Sequence, residues 1–243
     1  DENKLDLIFK AYDVRGVFNE TITPEIGFKV GAAFASYVHS DEIIVGHDGR
    51  LSNNEMFAAV CSGIQNINKK VMYVGTVPTD VVYTLSGIKN LPGLIITASH
   101  NPKNYTGFKF CDIGAVAIGQ ETGLREIKKI AENFKEEFKI SDLPQKKDTI
   151  DLYLEHFKKI VNPSEVSATV KFCIDGGNGA LGSIIEDLSK TYNLNFDGLF
   201  MDVDGNFPNH PADPSDENNL SDLKDKVLSN NLDFGVAFDG DAD

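Results

Sequence analysis

Ser99 and His100 stand side by side in the run Thr97-Ala98-Ser99-His100-Asn101-Pro102, and Lys109 follows ten residues after the serine. A serine hydroxyl is a weak nucleophile unless a base, a lysine or a metal lies close to it; this stretch offers the first two. Ser, Asn and Pro are also ordinary turn formers with no chemical role, and for Ser-His-Asn-Pro alone that plain reading comes first. The apolar run Leu94-Ile95-Ile96 directly before the turn shifts the balance. Ligands collect at the carboxyl ends of strands in α/β sheets.

A second constellation closes the chain. Asp239, Asp241 and Asp243 alternate with Gly240 and Ala242 after the apolar strand Phe234-Gly235-Val236-Ala237-Phe238. Three carboxylates held together repel one another unless a cation joins them. An all-oxygen set of this kind suits Mg²⁺. A solvated acidic turn is the bland alternative, but a strand end concentrates the charges instead of spreading them. An EF-hand loop would need a helix in front and a glycine at its sixth position, and here a strand precedes.

Other polar segments carry weaker signals. Asp175-Gly176-Gly177-Asn178-Gly179-Ala180 is a glycine turn between a strand and a helix, able to approach an anion or simply to turn tightly, and it lacks the Lys-Ser/Thr of a P-loop. Arg15 follows Tyr12 and Asp13, and Arg50 lies in the turn Gly46-His47-Asp48-Gly49-Arg50. Either arginine could clamp a phosphate through its planar fork, with a structural salt bridge the favoured reading for Arg50. His39, His156 and His210 have no acid or metal-spaced partner near them in sequence, and the first two read as helix-surface residues.

Short apolar runs alternating with helical patterns must position these groups, which is the signature of a layered α/β fold. Helices are expected over 24–38, 52–66, 78–86, 121–138, 149–161, 180–192 and 219–230. Strands are expected over 42–45, 71–74, 94–97, 107–110, 169–174, 194–199 and 233–238. Thr23 and Pro24 supply the N-cap and first position of the first helix. The polar stretch Ser141 to Lys147 reads as a linker, so two units are expected, 1–145 and 146–243.

Net charge is −14, from 23 Lys and Arg against 37 Asp and Glu. This argues against nucleic-acid binding, which needs clustered cations. An anionic substrate would have to be met by a few placed residues or a metal. Cys61, Cys111 and Cys173 lie far apart without a Cys-x-x-Cys pair, so buried, reduced thiols in a cytoplasmic protein are expected. No apolar run reaches the roughly 18 residues that would suggest a membrane span. The sequence opens on Asp1 and stops inside the acidic motif, so both ends read as cut or processed boundaries.

Taken in order, the segments FKAYDVRG at 9–16, GHDGR at 46–50, VGTVPT at 74–79, TASHNPKNYTGFK at 97–109, DGGNGA at 175–180, DGNFPNHPADP at 204–214 and DGDAD at 239–243 resemble the α-D-phosphohexomutase superfamily. Within it they are most similar to the phosphomannomutase/phosphoglucomutase branch, more than to phosphoglucosamine mutases. The resemblance implies two three-layer α/β/α domains with mixed sheets, corresponding to domains I and II of four. It implies that Ser99 is a phosphoserine that gives up and recovers a phosphoryl group, and that its phosphate binds Mg²⁺ together with Asp239, Asp241 and Asp243. It makes His100 and Lys109 acid/base or charge-stabilising groups, with Tyr12, Arg15 and Asn101 binding substrate or phosphate. The implied partners are mannose or glucose 1- and 6-phosphates and the 1,6-bisphosphate. An Arg that follows the third aspartate in the family is not in this sequence, nor are the sugar-selecting and phosphate-binding loops of domains III and IV, and Asp80 stands where proline is usual. The chain by itself is therefore expected to be inactive. A non-catalytic module that binds Mg²⁺ or a partner on the same scaffold is the alternative of a different class.

Overall fold

Two sets of apolar runs become two sheets joined by a segment without helix or strand. The computed structural model describes residues 4–167 and 169–243. In chain order, the first unit contains α1 (Lys4–Ile8), β1 (Val14–Val17), α2 (Pro24–Tyr37), β2 (Glu42–His47), α3 (Asn53–Asn66), β3 (Lys70–Thr76), α4 (Thr79–Lys89), β4 (Gly93–Ile96), β5 (Tyr105–Asp112), β6 (Val116–Ala117) and α5 (Arg125–Asn133). The second contains α6 (Ile150–Ile160), β7 (Phe172–Asp175), α7 (Ile185–Tyr192), β8 (Phe196–Leu199), α8 (Ser221–Ser229) and β9 (Phe234–Ala237).

The first sheet is mixed, in the order β1-β5-β4-β2-β3, with β6 beside β5. Strands β3, β2 and β4 run parallel, so β2 and β4 deliver Asp48 and the Ser99 turn to the same edge. Strand β5 returns antiparallel to β4, setting Lys109 opposite Ile95 and close to that edge. The second sheet, β8-β7-β9, is parallel, and β7 and β9 end on Asp175 and the acidic motif.

Two apolar clusters fill the layers. One lies between the first sheet and α2, α3 and α5, with Phe28, Phe34, Phe108 and Phe110 fully buried in or around it. Each such side chain contributes about 1.5–3 kcal/mol. The other cluster crosses between the units: Ile44, Val74, Val81 and Ile95 of the first pack with Tyr153, Leu154, Ile174 and Leu181 of the second. A shared core of this kind fixes the two sheets against each other, so a site between them is built, not merely adjacent.

Helices α2 and α3 touch backbone to backbone. A Cβ on Gly63 would lie 2.0 Å from the Phe28 carbonyl oxygen. Gly63→Ala is expected to lower stability by about 1–3 kcal/mol, read as a shift in the denaturation midpoint at constant m-value.

Several elements differ from the sequence expectation. The helix expected over 121–138 is α5 alone, because Gly123 at φ 148° interrupts its start and Phe134 turns extended at its end. From there Phe134 and Phe138 reach back to the Phe28 ring, at 5.7 and 5.4 Å between centroids. That apolar contact, unseen by helical periodicity, draws the chain away from the helix axis. The helix expected over 180–192 breaks at Ile184, whose φ of −129° separates a short 3-10 turn from α7. Strand β7 starts at Phe172, later than expected. Strand β1, which carries Arg15 and pairs with β5, was not anticipated from the FKAYDVRG segment. Cys61, Cys111 and Cys173 are all buried free thiols. No helix among the described residues is long and apolar enough to cross a membrane.

Candidate active site

Ser99 follows β4 in the left-handed region, with φ of 50°. For a residue with a side chain that conformation costs about 1–2 kcal/mol and persists only where its surroundings hold it. Here they do. The Ser99 N–H donates to Thr97 Oγ1 at 2.9 Å, and Thr97 Oγ1 donates to Asp48 Oδ2 at 2.8 Å. Asp48 also accepts from the Arg50 N–H at 3.0 Å, Arg50 Nε at 3.1 Å and Asn53 Nδ2 at 2.8 Å. Both side chains of the Asp48–Arg50 ion pair are fully buried.

The acidic motif comes to this turn from the second unit. Ser99 Oγ donates to Asp239 Oδ2 at 2.5 Å. Lys109 Nζ lies 2.7 Å from Asp241 Oδ2 and 3.4 Å from Asp243 Oδ2. Thr79, the first residue of α4, donates its hydroxyl to Asp241 Oδ2 and its N–H to the Asp241 carbonyl at 3.1 Å. The approach is close: a Cβ on Gly240 would lie 2.6 Å from the Ser99 carbonyl oxygen, so only glycine fits.

The charges divide unequally. Burial, with Asp241 beside it, pushes the Asp239 carboxyl up to about 7. Burial also opposes charge on Asp241, but Lys109 and the Thr79 hydroxyl outweigh it and hold Asp241 below the usual carboxylate range. For Lys109, burial is again the opposing force, overcome by Asp241, Asp243 and Asp239, which keep the ammonium charged above the ordinary lysine range. One ligand oxygen from each of the three aspartates falls within 4.8 Å of the others. Asp241 is 0% exposed, and its Oδ1 has no hydrogen-bond partner among the described residues. A buried carboxylate oxygen without a donor is costly unless a cation takes it.

Other residues singled out in the sequence fall at different distances from this centre. Arg15 pairs with Asp13 at 2.6 Å and donates to Asn101 Oδ1 at 2.6 Å, tying β1 to the Ser99 turn. Arg15, His100, Asn101, Tyr105 and Lys10 line a cleft of about 510 Å³. His100 is exposed at its mouth. Tyr12 is not brought to this cleft; it is 83% exposed and sits beside Gly119. His210, read from sequence as lacking a partner, lies 2.9 Å from Asp175 Oδ2 across 35 residues, so the 206–218 loop folds back onto the glycine turn. His39 is exposed just past α2, and His156 is half-buried on α6.

Asp48, Thr79 and Thr97 were not singled out as site residues from sequence, although each holds a member of the centre. Asp48 and Thr97 do carry a local signal, since both follow apolar strands at the edge where Ser99 lies. Thr79 carries none, because its partner lies 162 residues away.

The family model for phosphoglucomutase/phosphomannomutase α/β/α domain I matches residues 6–138, and that for domain II matches residues 151–243. The chain belongs to the phosphoglucomutase/phosphomannomutase family. Among its curated relatives are a phosphomannomutase/phosphoglucomutase of Pseudomonas aeruginosa, 35% identical over 97% of this chain and 50% of its own length, and a phosphoglucomutase of Neisseria meningitidis, 36% identical over 97% and 51%. The chain thus spans about half the length of the curated relatives it matches. A solved structure of a phosphoglucomutase/phosphomannomutase family protein from Burkholderia thailandensis superimposes with a TM-score of 0.84 at 33% identity, covering 96% of this chain and 52% of that one. Both units therefore have the α/β/α fold of the family, and the mutase-like segments all lie within the matched regions.

Proposed function

We propose that this chain is the N-terminal half of a phosphohexomutase, with residues 1–145 and 146–243 as its first two domains. The full-length protein would interconvert the 1- and 6-phosphates of glucose, mannose or both through a phosphoserine at Ser99 and a bisphosphorylated sugar. The observation that carries this reading is the Ser99 hydroxyl, 2.5 Å from Asp239 in a three-aspartate cluster, with Lys109 salt-bridged to Asp241. A phosphoserine adds a charge of about −1.5 to −2. Beside three carboxylates such a charge persists only with cations around it.

Mg²⁺ fits these residues, since the donors are all oxygens and Asp241 Oδ1 is buried without a partner among the described residues. Asp239, Asp241 and Asp243 would hold it together with the Ser99 phosphate. When bound it would stabilise negative charge on the phosphoryl group. The chain's own residues supply the rest. The bond from Ser99 Oγ to phosphorus breaks as a free sugar hydroxyl attacks the phosphorus; the proton of that hydroxyl passes to a base, for which His100 at the cleft mouth is available, and the leaving Ser99 Oγ takes up one proton in exchange, ending as the hydroxyl that donates to Asp239. Lys109, held protonated by its aspartates, offsets charge on the moving group. Arg15 and Lys10 line the adjoining cleft and give an otherwise acidic chain two cations for a sugar phosphate. The bisphosphate then turns over and returns its other phosphoryl group to Ser99, restoring the starting state.

Stability should report the cation. The folded chain holds the Asp239 proton to about pH 7, whereas the unfolded chain releases it near the ordinary carboxyl value of 3.8. Between these values the native state binds more protons, so stability falls as pH rises through that window. With a chelator present, the melting temperature is expected to fall from pH 4 to pH 8, and Mg²⁺ at pH 8 to restore it, since a ligand of the native state alone stabilises it by mass action. A melting temperature at pH 8 that ignores Mg²⁺ would count against the metal assignment.

The functional test is turnover. Full-length protein with Mg²⁺ and a trace of hexose 1,6-bisphosphate is expected to convert glucose 1-phosphate or mannose 1-phosphate to the 6-phosphate, and the 243-residue chain alone to show little or none. Robust turnover by the chain alone would refute the need for the second half, and none by the full-length protein would refute the mutase.

A further inference from the structure

Arg50 is 3% exposed, and both terminal nitrogens of its guanidinium serve the Ser99 turn. Its Nη2 donates to the carbonyl oxygens of Ser99 and Asn101, each at 2.7 Å. Its Nη1 donates to those of Pro102 at 2.6 Å and Tyr105 at 3.2 Å. Its Nε and backbone N–H go to Asp48. The whole fork is therefore committed to one acidic partner and to four carbonyls of a single loop.

Those carbonyls point inward together because the loop turns through a left-handed Ser99. Converging carbonyl dipoles repel one another, and a buried planar cation that donates to all four removes the repulsion. Lysine has three donors on one point and cannot copy the fork. The outer side of the guanidinium is closed by the second unit: Phe207 lies 5.4 Å from Arg50 Cζ, and a Cβ on Gly240 would meet Nη2 at 3.6 Å. Gly205 is so close that a Cβ there would lie 2.5 Å from the Gly49 carbonyl oxygen. The same arginine thus touches the Ser99 loop on one side and, on the other, the loop between β8 and α8 and the loop that follows β9.

We propose that Arg50 is a positioning residue for phosphoryl transfer: through the four carbonyls it fixes the direction of Ser99 Oγ toward the aspartates. This rests on the mutase reading above, but the loop geometry can be tested apart from it. Arg50 touches no reacting atom, so removing it should misplace Ser99 without removing any group that binds sugar.

The experiment compares full-length wild type with Arg50→Lys, which keeps the charge beside Asp48, and with the double variant Asp48→Asn/Arg50→Gln, which removes both buried charges together. Amide hydrogen exchange is read on a peptide spanning 98–105. In either folded variant, exchange there is expected to quicken by about 10-fold or more while peptides from α2 and α3 keep wild-type protection. Turnover is expected to fall by about 100-fold in kcat, the usual size for a misplaced reacting group, with KM for the hexose phosphate changed less than about 3-fold. Unchanged exchange over 98–105 in both variants would overturn the proposal. Faster exchange with wild-type kcat would leave Arg50 a purely structural residue and overturn it equally. If wild type itself carries no phosphate on Ser99 and shows no turnover, the mutase reading falls, and the exchange comparison still decides whether Arg50 holds the loop.

Discussion

Ser99→Ala is expected to remove at least about 10⁴-fold of kcat from the full-length protein, equivalent to about 5.5 kcal/mol of barrier. The reason is chemical, not structural. Alanine has no oxygen to carry the phosphoryl group, and among the described residues no other hydroxyl is hydrogen-bonded to Asp239. Thr97 Oγ1 is engaged with Asp48, and Thr79 Oγ1 with Asp241. Stability should change little, because the substitution deletes one side-chain hydrogen bond, worth about 1 kcal/mol net, and leaves the Ser99 backbone bonds to Thr97 and Arg50 in place. Initial rates together with a denaturation curve on the same sample separate the two effects. A variant that melts like wild type and still turns over within about 10-fold of it would show that the phosphoryl group is carried elsewhere.

The second large effect is on folding. Asp48→Ala is expected to lower stability by about 3–5 kcal/mol, because it leaves the Arg50 charge buried without its counter-ion. It also removes the acceptor of the Arg50 N–H and of Thr97 Oγ1, while Asn53 Nδ2 keeps the Asp48 carbonyl. For a chain of this size that corresponds to a fall in melting temperature of roughly 6–20 °C. Asp48→Asn keeps two acceptors on one oxygen and the shape of the side chain, so it should lose less. Calorimetry on the two variants checks the order, and an Asp48→Ala protein as stable as wild type would mean that Arg50 finds its compensation wholly in the loop carbonyls.

Much of the site was legible in the sequence because its chemistry is local. Ser99, Asp239, Asp241 and Asp243 each follow an apolar strand, and strand ends in an α/β sheet gather on one edge. The meeting of the two strand ends across 140 residues could be inferred only through the family resemblance, since no residue-level pattern encodes it. Periodicity located the strands and helices but misjudged where helices begin and stop. At Gly123 a φ that few side chains tolerate delays the start of α5, and at Phe134 a tertiary contact with Phe28 ends it. Asp175 and His210 look unrelated in sequence and become a pair only when the 206–218 loop folds back. Arg50 was legible as a structural salt bridge, which the structure forms with Asp48; its four carbonyl partners, 49 to 55 residues on, were not legible. Long-range polar contacts leave no periodic trace, which is why the residues that hold the Ser99 turn were harder to read than those that act in it.

The central claim is that Ser99 carries the phosphoryl group, and intact-mass spectrometry of the full-length protein incubated with hexose 1,6-bisphosphate and Mg²⁺ tests it most directly. The account predicts one added phosphoryl group, localised by peptide fragmentation to Ser99, lost on incubation with excess hexose monophosphate and absent from Ser99→Ala. A protein that gains no phosphate, or gains it at another residue while turning over, would contradict it.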